Sequence, residues 1–102
     1  MQPFTIYQAY LKAFIAETKK QNVALIDLHA MSAALYEALG PEKAPLAFAA
    51  NGSDATHHGA YGAYKLAKCV LEGIKASKLD VAKYLVTEVP PFDPAHPHPP
   101  EA

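Results

Sequence analysis

The sequence predicts an α/β chain, and within that class the C-terminal fragment of a doubly wound, three-layer α/β/α fold. It is expected to be mostly helical, with one buried parallel strand. The first observation behind this is "VALIDL", Val23 to Leu28, a short and nearly continuous apolar run with β-branched Val23 and Ile26. Its length and apolarity suit a strand covered on both faces. The second is that helical patterns lie on both sides of it. The third is the loop "NGSDATHHGAYGAYKLAK", Asn51 to Lys68, which sets an acid, two adjacent histidines and three glycines against the start of an apolar helix. A lone strand needs neighbours on both edges and helices on both faces, so this order of elements reads as the last βα portion of a larger sheet.

The elements follow in order. Thr5 to Gln21 is a helix, because Tyr7, Leu11, Phe14 and Ile15 fall on one face while Lys12, Glu17, Lys19 and Lys20 keep mostly to the other. Pro3 precedes it and Gln21-Asn22 ends it. In the strand, Asp27 interrupts the apolar run near its C-terminal end, which borders the ligand crevice in open α/β sheets. The better account of Asp27 is that it satisfies backbone amides in the turn into the next helix. Met31 to Leu39 is that helix, stopped by Gly40-Pro41. A loop from Pro41 to Thr56 leads to a third helix, from about Gly59 to Ala76, with Tyr64, Ala67, Val70, Leu71 and Ile74 on its apolar face. Leu79 to Leu85 adds a further helical turn or two.

From Val86 the composition changes, and six of the nine prolines lie in "VPPFDPAHPHPPEA". Residues 1–88 thus form the folded part and 89–102 an extended tail, either loose or laid across the body by Phe92.

Bulk composition narrows the function. The chain has 102 residues, 51% of them hydrophobic, and a formal net charge of -1. All nine basic residues are lysines, so no guanidinium fork is present to grip phosphate, and neither nucleic acid nor an anionic membrane is an expected partner. The one cysteine, Cys69, excludes an intrachain disulfide and a cysteine-based zinc site, and its apolar neighbours mark it as a buried, inert thiol. No run is long and apolar enough to span a membrane, and no secretory leader is legible at the N-terminus.

The chemistry lies at Asp54 and His57. A histidine three residues after an aspartate, in a turn entering a helix, can be held by the carboxylate through one ring nitrogen. The other nitrogen is then free to act as the general base for a serine nucleophile. The competing account is an ordinary N-cap worth about 1 kcal/mol with a surface histidine behind it. On spacing alone that account is the better one, since Asp-x-x-His is a short pattern.

The wider sequence reverses the weighting. "SDATHHGAYGAYKLAKCVLEGIK" closely resembles the last sequence block of the SGNH (GDSL-type) hydrolases, nearest to their rhamnogalacturonan acetylesterase branch. "VALIDL", "YEALGPEKAPLAFA" and "AKYLVTEVPPFDPAHPHPPE" extend the likeness from about Asn22 to Glu101. The resemblance implies a doubly wound, flavodoxin-like fold. It also implies a serine esterase that removes acetyl groups from a pectin-like polysaccharide or oligosaccharide through an acetyl-serine, with no metal or organic cofactor. Members of this kind are secreted or periplasmic. Carried over by position, His57 resembles the general base and later the general acid, and Asp54 its orienting carboxylate.

His58 falls just outside the motif and is expected to be a partly exposed filler. Ser53 and Thr56 look like turn and capping residues, Gly59 and Gly62 would let the helix start approach the sheet, and Tyr61 and Tyr64 are expected to be packing residues. The chain departs from the family in lacking a Gly-Asp-Ser block and the glycine and asparagine of the oxyanion hole. Ser32, Ser53 and Ser77 have no strand-to-helix turn around them to replace the nucleophile. The chain alone is therefore expected to be inactive, its missing N-terminal portion or self-association completing the sheet. Two alternatives stand beside this: a non-catalytic fragment that self-associates through open strand edges, and a metal-binding module built from His57-His58, His96, His98, Asp93 and His29.

Overall fold

The computed structural model describes residues 6–85 and 90–99. Three α-helices order the chain: α1 (Ile6–Lys20), α2 (Leu28–Lys43) and α3 (Ala60–Ala76). Short 3-10 turns occupy Ala44–Ala47 and Ala49–Gly52 between α2 and α3, and Asp80–Tyr84 after α3.

The expected α/β architecture is not found. Among the described residues there is no strand and no sheet, and the only β pairing recorded is a single antiparallel bridge between Phe48 and His58. The reason lies in pairing. A strand is stable only when its backbone N–H and C=O groups meet a neighbour, and no second strand is described in this chain. The run 23–27 instead connects α1 to α2 without regular structure. Nor is it covered on both faces, because Val23 is 60% exposed. Ile26 lies against α3, so close that a Cβ on Gly73 would stand 2.4 Å from its Cγ2. The doubly wound, three-layer reading is therefore replaced by α2 and α3 packed directly on one another, with a 3-10 turn between them.

Asp27 behaves as the capping account holds. Its side chain accepts a 2.9 Å bond from the Ala30 backbone N–H at the start of α2. Gly40 ends the regular part of that helix: at φ 80° and ψ 172° it leaves helical geometry, and Pro41 follows with no N–H to continue the ladder. The chain then runs through Pro41 into the 3-10 turn at Ala44–Ala47, which packs against both α2 and α3.

The buried apolar side chains are few. Leu35 and Leu39 come from α2, Ala47 from the 3-10 turn, and Cys69 from α3. Ala47 is where the turn and α3 meet, because its carbonyl accepts a 3.0 Å bond from the Gly59 N–H. One turn further on, Gly62 passes so near that a Cβ there would lie 2.0 Å from the same carbonyl oxygen. The two glycines permit close approach as expected, but to a 3-10 backbone rather than to a sheet.

The packed face of α3 differs from the sequence pattern. Gly62, Lys65 and Cys69 are its buried positions, whereas Tyr64 is 60% exposed. Part of this face is covered by the proline-rich tail. Phe92 lies 5.5 Å from Lys65 Nζ and 5.7 Å from Lys68 Nζ. The Phe92 backbone N–H donates to Glu72 Oε2 at 3.2 Å, and the Tyr61 hydroxyl donates to the His98 carbonyl. Of the two expectations for the tail, the described residues follow the one that lays it across the body.

Helix α1 stands apart. Among the described residues it makes no substantial contact with another helical element, and its Tyr10 and Phe14 are 68% and 57% exposed. The radius of gyration is accordingly 15.3 Å, where a packed domain of this length takes about 13 Å.

Candidate functional site

The segment from Phe48 to His58 is a closed loop. The Phe48–His58 bridge shuts its neck, and the Ala49 N–H donates to the His57 carbonyl at 2.8 Å. At the tip, Ala50 (φ 52°) and Asn51 (φ 55°) are left-handed. For alanine that conformation costs about 1–2 kcal/mol, so the surrounding bonds hold the turn against its local preference.

Within this loop Asp54 makes three bonds. Its Oδ1 accepts from the Thr56 N–H at 2.8 Å and from the His57 N–H at 3.0 Å. Its Oδ2 lies 2.9 Å from His57 Nδ1. The two backbone bonds fix the carboxylate in an Asx-type turn, and the third turns the imidazole. The structure thus brings the two expected site residues together, and His57 Nε2 has no hydrogen-bond partner among the described residues. The histidine side chain is 78% exposed and that of Asp54 is 40% exposed.

Electrostatics follow from the same bonds. The His57 N–H, then the Thr56 N–H, then the His57 side chain hold the Asp54 carboxyl below the usual carboxylate range. The sign is that of a group depressed by folding: its stabilisation is full above the unfolded carboxylate pKa of about 4 and is lost as pH falls through the lower folded value. In a carbon-detected NMR titration, Asp54 is expected to titrate at lower pH than the same aspartate in an unstructured peptide of this loop. Coincident midpoints would remove the turn from the solution structure.

His58 is not the filler expected. Its Nε2 lies 2.6 Å from the Tyr36 hydroxyl, and its ring stacks on Phe48 with centroids 4.6 Å apart. Burial, with Cys69 nearby, pushes the Tyr36 hydroxyl up, so Tyr36 keeps its proton, and which of the two groups donates follows the His58 tautomer. This pairing links α2 to the loop across 22 positions, and no local spacing could have shown it.

The sequence did contain a second Asp-x-x-His, at Asp93-Pro94-Ala95-His96. His96 Nδ1 sits 2.9 Å from Asp93 Oδ2, and Asp93 Oδ1 accepts from the Ala95 N–H at 3.0 Å. The spacing therefore yields an oriented imidazole twice.

The other candidates fall as follows. No serine hydroxyl is bonded to His57 among the described residues, and the Ser32 hydroxyl donates to the His29 carbonyl at 3.1 Å. Tyr61 reaches the tail through its hydroxyl, whereas exposed Tyr64 meets Lys68 Nζ at 4.8 Å from its ring centroid. Cys69 is buried, and burial pushes its thiol up, away from the thiolate. Among the described residues no three histidine, cysteine, aspartate or glutamate side chains are grouped as metal ligands.

The site is thus an oriented aspartate–histidine pair with one imidazole nitrogen open, on a strained loop tied to α2. Comparison with family models, with curated proteins and with solved structures finds no match to this chain.

Proposed function

We propose that Asp54 and His57 form the acid–base half of a serine esterase of the SGNH type, acting on acetylated carbohydrate. The observation that carries this reading is the doubly anchored carboxylate of Asp54 holding His57 by Nδ1 and leaving Nε2 open. It gains weight from the sequence likeness around "SDATHHGAYGAYKLAK".

In the proposed reaction a serine hydroxyl attacks the acetyl carbonyl while His57 Nε2 takes its proton. His57 returns that proton to the departing sugar oxygen, leaving an acetyl-serine. Water, deprotonated by the same nitrogen, then attacks the acetyl group, and acetate leaves as the serine is reprotonated. Asp54 keeps Nδ1–H directed at itself and stabilises the imidazolium of each step. The serine and the oxyanion donors come from polypeptide other than the residues of this chain.

The second reading is a non-catalytic chain. It is favoured by the exposure of His57 and by the want of any serine hydroxyl bonded to it among the described residues. Mixing the chain with a separately produced polypeptide that carries the Gly-Asp-Ser block, and following p-nitrophenyl acetate hydrolysis, separates the two. The esterase reading expects a rate gain that His57→Ala abolishes; equal rates for wild type and variant would establish the second.

A further inference from the structure

Beside the Asp54–His57 turn lies a cavity of about 360 Å³. Its walls come from Tyr36 on α2, from Ala44 and Pro45 in the 3-10 turn, and from Phe48, Gly52 and Ala55 in the loop. Ala55 sits between Asp54 and Thr56, so the cavity and the turn share backbone. No charged side chain lines it. The one hydroxyl on its wall, that of Tyr36, is already committed to His58 at 2.6 Å.

The aromatic walls are held in place. Tyr36 and Phe48 lie with centroids 5.4 Å apart and planes tilted by 40°, and Phe48 is backed by the stacked His58 ring. Tyr36 is further fixed by its bond to His58, so neither ring is free to collapse inward. Preformed, largely apolar hollows of roughly 300–1,000 Å³ are the usual form of small-molecule sites. The hollow is open on one side, and a charged ligand finds no counter-charge on its walls, whereas an uncharged ring meets tilted aromatic faces.

We propose that this cavity binds a small uncharged aromatic ring. The proposal does not rest on the esterase reading, since it concerns binding alone.

Benzyl alcohol and benzoate, which share a ring and differ in charge, are the probes. Each is titrated into the full chain at up to millimolar concentration and followed by amide NMR shifts. Benzyl alcohol is expected to give saturable shifts at Ala44, Phe48, Gly52 and Ala55, and benzoate to bind about tenfold more weakly or not at all. Ala44→Leu, which extends three carbons into the space, is expected to weaken benzyl alcohol by about tenfold or more. If its thermal melt shows that variant to be unfolded, Ala55→Leu at the exposed rim serves in its place. Benzoate matching benzyl alcohol, shifts centred on α1 instead, unchanged affinity in the filled variant, or no saturable binding each overturns the proposal.

Discussion

Gly62→Ala is expected to lower stability by about 2 kcal/mol and the melting midpoint by roughly 8–16 °C. Two effects oppose each other. Alanine gains about 1 kcal/mol over glycine inside a helix, so on an open face the change would stabilise. Here the new Cβ would stand 2.0 Å from the Ala47 carbonyl oxygen and 2.8 Å from its carbon. Both are backbone atoms of a turn packed against α2 and α3, so relief requires moving α3, with its buried Cys69, away from the turn and from α2. Overpacking of this kind costs about 1–3 kcal/mol and more where backbone must shift, which outweighs the helical gain. Gly73→Ala is the comparison. Its Cβ would stand 2.4 Å from Ile26 Cγ2, 3.0 Å from Cγ1 and 3.2 Å from Cβ, so the stem of a β-branched side chain, stiff at χ1, must shift. That variant is expected to lose about 1 kcal/mol, less than Gly62→Ala because the obstructing atoms belong to a side chain and not to backbone. A Gly62→Ala chain that melts at or above the wild type would show that α3 and the turn do not meet as described.

Asp54→Asn is the variant with the largest expected effect on chemistry. In the assembled esterase proposed above, it should lower the turnover rate by about 10⁴ while leaving the fold intact. The amide oxygen can still accept from the Thr56 and His57 N–H groups, so the turn persists. The amide nitrogen, however, favours the wrong imidazole tautomer and supplies no charge to stabilise the imidazolium. The chain carries its own control. Asp93 and His96 show the same 2.9 Å contact at the same spacing, on the tail and not within the strained loop. Asp93→Asn is expected to leave the rate unchanged. Equal losses from the two variants, or none from either, would mean that the oriented pair is not the origin of the activity.

The legibility of this chain in its sequence varied with the range of the interaction. Helices were readable because their periodicity is local, and so was the stop at Gly40-Pro41, where the backbone leaves helical geometry. Asp27 as a cap and Asp54 as the partner of His57 were readable for the same reason, since each bond spans three residues. The strand was misread. An apolar run of six residues satisfies a strand and an uncovered connector equally, and only a neighbouring strand distinguishes them. The packed face of α3 was misread because Lys65 counts as polar by type. In the structure it is only 7% exposed, with the rings of Tyr61, Tyr64 and Phe92 around its ammonium. His58 was misread because its partner Tyr36 lies on a different element.

The detachment of α1 has a consequence for how the molecule comes apart. An isolated helix of 15 residues is marginal in water, where nucleation is costly and little buried surface repays it. Residues 6–20 should therefore open and close on their own, without waiting for the remainder. Their amides are expected to exchange hydrogen on the timescale of helix fraying, while amides beside Leu35 and Cys69 exchange only when the α2–α3 unit opens as a whole. Two protection classes divided near residue 22 should appear in a hydrogen-exchange experiment. A thermal melt followed by burial would then describe the second class alone.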